Sequence, residues 1–223
     1  MDECFRNTKQ IIEPAFNVLI GSHAKNPSSV QSKGFADTQT LTEKGLIEYK
    51  GNHVGVKFAK RSGDDAVLTI HATRRHEELW LAELCKRLVT IDGLLPQDIL
   101  ILAYHRERVA HLARCLSEKI APIKVARPFE ENQRDNLVIQ EDKISVSTVA
   151  SAKGYDAPFV VVASMESFPD NKEGRAALYV ACTRAREWLQ LSSVGGSALV
   201  QEFLEARAHA LRMEDPGHDT SKI

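Results

Sequence analysis

Six short runs rich in Val, Ile and Leu, set between segments with apolar residues at helical spacing, restrict this chain to few architectures. The runs are VLTIHA (67–72), DILILAY (98–104), IKVAR (123–127), ISVSTVAS (144–151), FVVVASM (159–165) and WLQLSS (188–193). Several are apolar on both faces, a pattern that suits strands covered on both sides in a parallel sheet. Between them, 76–89, 107–119 and 175–185 repeat apolar residues at the helical period. This alternation predicts an α/β fold with a doubly wound, mainly parallel sheet flanked by helices. An opening helix is expected over 8–21, stopped at Gly21, and a closing one over 197–212, begun after Gly195-Gly196.

Two stretches fit this pattern poorly. Residues 22–45 are rich in Ser, Thr and Lys, and a surface excursion with little structure of its own is expected, taken over 22–60. Residues 127–142 are highly charged and read as a loop before the next strand. One domain over 1–213 follows, with 214–223 a polar, frayed tail.

Composition is that of an ordinary soluble domain: 223 residues, 43% hydrophobic and 26% charged. A net charge of -1 makes no global case for nucleic-acid binding, so any such contact needs a local basic face. Cys4, Cys85, Cys115 and Cys182 are far apart and signal neither a zinc site nor a disulfide framework. Cys85 and Cys115 read as small core residues. The first residues lack a secretory layout, and no apolar run approaches the roughly 20 residues that span a bilayer. A reduced, cytoplasmic protein without a membrane partner is expected.

A nucleotide hydrolase of the P-loop kind needs GxxxxGK[ST], whose amides and lysine cradle phosphates. The chain has no such segment, nor a strand ending in a paired Asp-Glu suited to Mg²⁺. What it has is Arg184, placed after an apolar helical run in Thr183-Arg184-Ala185-Arg186. An arginine delivered from a neighbouring domain can stabilise the charge that gathers in phosphoryl transfer. On spacing alone the ordinary reading is a surface arginine closing a helix, where a cation suits the macrodipole.

Tyr179, Val180, Thr183, Arg184 and Ala185, with Ser151-Ala152-Lys153-Gly154-Tyr155-Asp156 upstream, resemble motifs VI and V of the UvrD/Rep-type superfamily 1 DNA helicases. The resemblance implies the C-terminal RecA-like domain of such a motor. It implies an arginine-finger role for Arg184, and a place near the nucleotide for Gly154 and for Asp156, a shortened form of the family's glutamate. Thr148, Ser151 and Lys153 would line the single-strand path. DILILAYHRERVAHLARCL (98–116) resembles motif IV, which adds Arg106 on the DNA side. Phe5-Arg6-Asn7-Thr8 is similar to the family's Tyr-Arg-Ser-Thr, whose arginine is the second finger, so Arg6 takes that role.

The chain departs from the family at three places. The histidine before the motif V serine is Ala150, the motif IV arginine is Tyr104, and the large subdomain between motifs IV and V is replaced by the 127–142 loop. The resemblance implies ATP with Mg²⁺, held mainly by an N-terminal half that this sequence does not contain, and single-stranded or partly duplex DNA as substrate. No ATPase activity is expected of this chain alone. The motif beginning so close to Met1 is the mark of a fragment or a truncated product. A binding scaffold without motor activity is the alternative. Asp37, Glu48 and Lys50 have PD-(D/E)xK nuclease spacing, although the proline before Asp37 is absent and an exposed turn is the ordinary reading. His71, His76, His105 and His111 show no ligand spacing and read as surface or partly packed.

Overall fold

The computed structural model describes residues 7–25, 38–126 and 138–214. Arg6, Asp37, most of the 127–142 loop and the 215–223 part of the tail lie outside the described residues. The helices are α1 (Lys9–Ile20), α2 (Thr38–Glu43), α3 (Arg74–Thr90), α4 (Arg106–Lys119), α5 (Lys172–Cys182) and α6 (Ala198–Glu214). The strands are β1 (Ile47–Lys50), β2 (His53–Val56), β3 (Val67–His71), β4 (Ile99–Ala103), β5 (Lys124–Val125), β6 (Lys143–Thr148), β7 (Ala157–Val162) and β8 (Ala185–Val194).

The six apolar runs become one sheet in the order β3-β8-β7-β4-β6-β5, and every pairing in it is parallel. The two-residue period of a strand sends alternate side chains to opposite faces. On β4, Ile99, Ile101 and Ala103 join Leu81, Leu88, Val109 and Leu112 of α3 and α4. Leu100 and Leu102 join Ile11, Leu178 and Phe203 of α1, α5 and α6. Both faces of β4 are therefore covered, which explains why that run is apolar throughout. Because all six strands are parallel, their C-terminal ends share one edge of the sheet and their N-terminal ends the other.

Helix α1 is buried from Ile11 to Leu19, including the polar Glu13 and Asn17. These two lie one turn apart, about 6 Å along the helix. Val54 and Val56, two residues apart on β2, are separated by about 6.6 Å. The match lets the helix satisfy a strand edge. Val56 N–H donates to Glu13 Oε2 at 2.9 Å, Val54 N–H donates to Asn17 Oδ1 at 2.9 Å, and Asn17 Nδ2 donates back to Val54 O at 2.8 Å.

The 22–60 stretch thus carries more structure than its composition suggests. Over 38–60 it forms α2 and the antiparallel β1–β2 hairpin, which buries Ile47, Val54 and Val56 against Ile12, Phe16 and Leu19 of α1. Helix α5 also begins and ends earlier than the 175–185 periodicity predicts. Thr183 and Arg184 form a turn, and Ala185 is already strand.

One buried arginine ties the helices of this face together. Arg175 donates to both carboxylate oxygens of Glu202 on α6 at 2.6 Å, to Asp170 at 2.6 Å, and to Val18 O of α1 at 2.7 Å.

Candidate functional site

The motif residues separate onto the two edges of the sheet. At the N-terminal edge, β7 and β8 start side by side, with Ala157 and Ala185 partners in register. The residues just before them, Asp156 and Arg184, are thereby neighbours. Arg184 Nη1 donates to Asp156 Oδ1 at 3.2 Å, Nε donates to Val180 O at 3.0 Å, and Nη2 reaches Thr183 Oγ1 at 3.4 Å. The guanidinium therefore caps the C-terminal end of α5, where a cation suits the exposed carbonyls. It is 15% exposed, and Asp156 is 12% exposed.

Asn7 completes this corner, and sequence reading missed it. Its Nδ2 donates to Thr183 O at 2.9 Å and to Ala185 O at 2.5 Å, the two carbonyls flanking Arg184. Lys9 N–H donates to Arg61 O at 2.7 Å, and Arg61 pairs with Glu187 on β8. The described start of the chain is thus pinned to the Arg184 turn.

At the C-terminal edge, Thr148 ends β6 opposite Ala103 of β4. Thr148 Oγ1 accepts Ser151 N–H at 3.1 Å and lies 3.0 Å from Ser151 Oγ. This turn keeps Ser151, Lys153 and Gly154 exposed. Gly154 has φ +93, a conformation that favours glycine. Val149 and Ala152 are buried in the core shared with α1 and α5. The 149–156 segment therefore runs over that face, from the C-terminal edge of β6 to the N-terminal edge of β7. It links the two groups of motif residues, which a strand of six residues holds on the order of 20 Å apart. Arg106 is exposed at the start of α4, on the same edge as Thr148.

Behind this edge lies a buried network with no counterpart in the sequence reading. Glu77, on the first turn of α3, is fully buried. Its carboxylate accepts Ser164 N–H at 2.7 Å, Ser164 Oγ at 2.8 Å, Ser192 Oγ at 2.6 Å and Arg108 Nη2 at 2.7 Å. Burial pushes the Glu77 carboxyl up, but the bonds from Ser192, Ser164 and Arg108 outweigh it and hold the group below the usual carboxylate range. The same bonds hold Ser164 in a left-handed conformation, φ 56 and ψ 52. A non-glycine residue there costs about 1–3 kcal/mol, which only a surrounding network makes tolerable. The one signal in the sequence is a glutamate on an otherwise apolar helical face.

The Glu48 and Lys50 pair of the nuclease spacing sits on the outer side of β1, where Glu48 pairs with Lys50 at 3.1 Å and Lys57 at 2.6 Å. Among the described residues no group of three His, Cys, Asp or Glu could hold a metal ion. His71, expected at the surface or partly packed, is 9% exposed, with its ring against Trp80. Cys85 is buried as expected, whereas Cys115 is half-buried. Among the described residues no helix is long and apolar enough to cross a membrane.

Residues 143–192 match the family model of the UvrD-like helicase C-terminal domain. The resemblance read from the motifs is thereby shown. The matched span contains Thr148, Ser151, Lys153, Gly154, Asp156 and Arg184. The chain is similar to a solved structure described as the C-terminal domain of a possible DNA helicase from Lactobacillus plantarum WCFS1. The TM-score is 0.60 at 16% identity, covering 91% of this chain and 95% of that one. At that identity the likeness shows the fold alone, a parallel α/β domain of RecA-like type. No curated protein matches the chain. The sequence over 143–192 thus matches the C-terminal domain of UvrD-like helicases, and the fold over nearly the whole chain is the parallel α/β one.

Proposed function

We propose that the chain is the C-terminal motor half of an ATP-dependent DNA helicase, acting with an N-terminal half that holds Mg²⁺ and ATP. The observation that carries this reading is the division of its polar residues between two edges joined by one segment, 149–156. At one edge, Asp156 orients the Arg184 guanidinium and Val180 O fixes its root. Three of the five guanidinium donors serve Val180, Asp156 and Thr183, and among the described residues no other group takes the remaining two. These would stabilise charge on a phosphoryl group presented by the other half. Arg6, which the Phe5-Arg6-Asn7-Thr8 motif implies as the second finger, would act with Arg184.

At the other edge, Thr148, Ser151, Lys153 and Arg106 would grip single-stranded DNA, mainly through its phosphates. Gly154 lets the turn between the edges reverse. The chain has no phosphate cradle of its own and no metal-holding group among the described residues. Its residues fit a role of approaching bound Mg²⁺–ATP, and do not fit a role of holding it. Bound ATP would draw the two halves closed, and its hydrolysis supplies the free energy that would let them part again. A binding scaffold without motor activity is favoured by one observation, the Arg184–Asp156 pair, which also reads as a structural contact.

Fluorescence anisotropy and phosphate release from the isolated chain test the reading. We expect binding of single-stranded DNA without ATP turnover. The Lys153→Ala and Arg106→Ala variants should each lower the slope of log affinity against log salt by about 1. Robust turnover by the pure chain, or no binding of single-stranded DNA, would sink the proposal.

A further inference from the structure

The C-terminal edge holds an aromatic pair that the phosphate grip does not use. Tyr104 directly follows Ala103, the register partner of Thr148, so it sits beside the proposed single-strand path. Its ring is held from two sides. Phe168, 2% exposed, lies beneath it at 5.1 Å between centroids, and His105 stands edge-on at 4.9 Å and 88°. Tyr104 is half-buried and His105 exposed. His105 occupies the N-cap position of α4, yet its side chain makes no capping bond.

Cations flank this pair along the same edge. Arg74 and Arg75 are exposed where α3 begins after β3, Arg106 where α4 begins after β4, and Lys153 after β6. In the strand order β3-β8-β7-β4-β6 they span four inter-strand spacings, about 19 Å. Between them β8 ends in Gly195-Gly196, which present no side chain. Carboxylates lie on this edge too, among them Asp170, which follows β7 beside Gly196 and pairs with Arg175. Glu166 accepts Val194 N–H at 2.9 Å and lies 3.5 Å from Arg74, while Glu107 is exposed on α4. Cations spread along one edge with a fixed ring among them suit a polymer with regularly spaced phosphates and flat bases. An acidic peptide would meet the cations but has no counterpart for the ring.

We infer that Tyr104, braced by His105 and Phe168, is a base-stacking platform for single-stranded nucleic acid, with Arg74 and Arg75 as the far phosphate contacts. This inference rests on the single-strand grip proposed above and adds base contact to it. Stacking on an aromatic side chain tolerates any base, because every base has a π-face, and it changes affinity about five- to 100-fold per base.

The test measures anisotropy of oligothymidylate and of an abasic oligomer of equal length with the full chain. We expect the thymidylate to bind at least about five-fold tighter. Tyr104→Leu keeps apolar packing on Phe168 but has no π-face, so it should erase that preference while leaving the salt slope unchanged. Tyr104→Phe should keep both. Arg74→Ala with Arg75→Ala should lower the salt slope and keep the preference. Equal binding of the two oligomers by the native chain, or a preference that survives in Tyr104→Leu, overturns the platform while leaving the phosphate grip standing. Failure to bind either oligomer overturns both.

Discussion

Asp156 and Arg184 stand 3.2 Å apart although 28 residues separate them, because each immediately precedes one of two parallel strands that start in register. The pair places an arginine at the sheet edge with its guanidinium already oriented. When the chain acts with its phosphate-holding half, Arg184→Ala is expected to lower ATP turnover at least about 10³-fold. Single-strand affinity should be unchanged, since Thr148 and Lys153 lie at the opposite edge. Asp156→Ala should cause a smaller loss, because it frees the guanidinium without removing it. Steady-state phosphate release and anisotropy on the same variants check both statements. Unchanged turnover in Arg184→Ala would favour the scaffold reading.

Asn7 holds the same corner from below. Asn7→Ala leaves two carbonyls without their amide donor and is expected to cost about 1–3 kcal/mol. Asn7→Asp should be worse than alanine, because it turns a carboxylate oxygen toward carbonyl oxygens. Urea denaturation midpoints of the two variants decide the order.

Arg175 makes a larger and separate contribution. Truncation to Met would strand the carboxylate of Glu202, which is 4% exposed, and is expected to cost about 3–5 kcal/mol. Replacing both partners by Leu should recover much of that loss, because no buried charge is then left unpaired. Equal destabilisation of the single and double variants would show that packing, not charge, is at stake.

Acid sensitivity should come first from a histidine group. His23, His53 and His209 meet where the end of α1, β2 and α6 converge, with ring centroids 4.9–5.6 Å apart. Burial, reinforced by His209 and His53, pushes His23 below its ordinary value, against an opposing pull from Glu205. Burial, with Arg212 and His53, does the same to His209, again opposed by Glu205. The unfolded chain therefore binds protons first, and stability should fall as pH drops below about 6.5. His209→Gln should flatten that slope in denaturation midpoints measured across pH. Glu77 and Glu13 act in the same direction, but at lower pH. Burial raises both, but hydrogen bonds outweigh it and lower them, so their contribution is lost only below the ordinary carboxylate range, about pH 4.3.

The sheet was legible because parallel strands must be apolar on both faces, and FVVVASM or DILILAY satisfy that locally. The β1–β2 hairpin was not, since its inward apolar residues are only Ile47, Val54 and Val56, and the buried His53 beside them is polar. Its stability comes from Glu13 and Asn17, polar residues whose partners lie about 40 positions away. Arg184 and Asp156 were legible through the motifs that contain them. Their contact was not, because it depends on the pairing of β7 with β8. Asn7 was still less accessible, bonding across 176 and 178 positions to backbone atoms that carry no residue identity.

Helix α1 packs mainly on α5 and α6, which come from the other end of the chain. During synthesis it emerges early and then waits for some 150 more residues, roughly ten to thirty seconds at ordinary elongation rates. Through that interval its native cover is the β1–β2 hairpin and, once β4 is made, Leu100 and Leu102. Long-range closure of this kind slows folding and lengthens exposure to wrong partners. The hairpin's Ile47, Val54 and Val56 against Ile12, Phe16 and Leu19 are the part of that cover nearest to the helix in sequence, and so the first that can form.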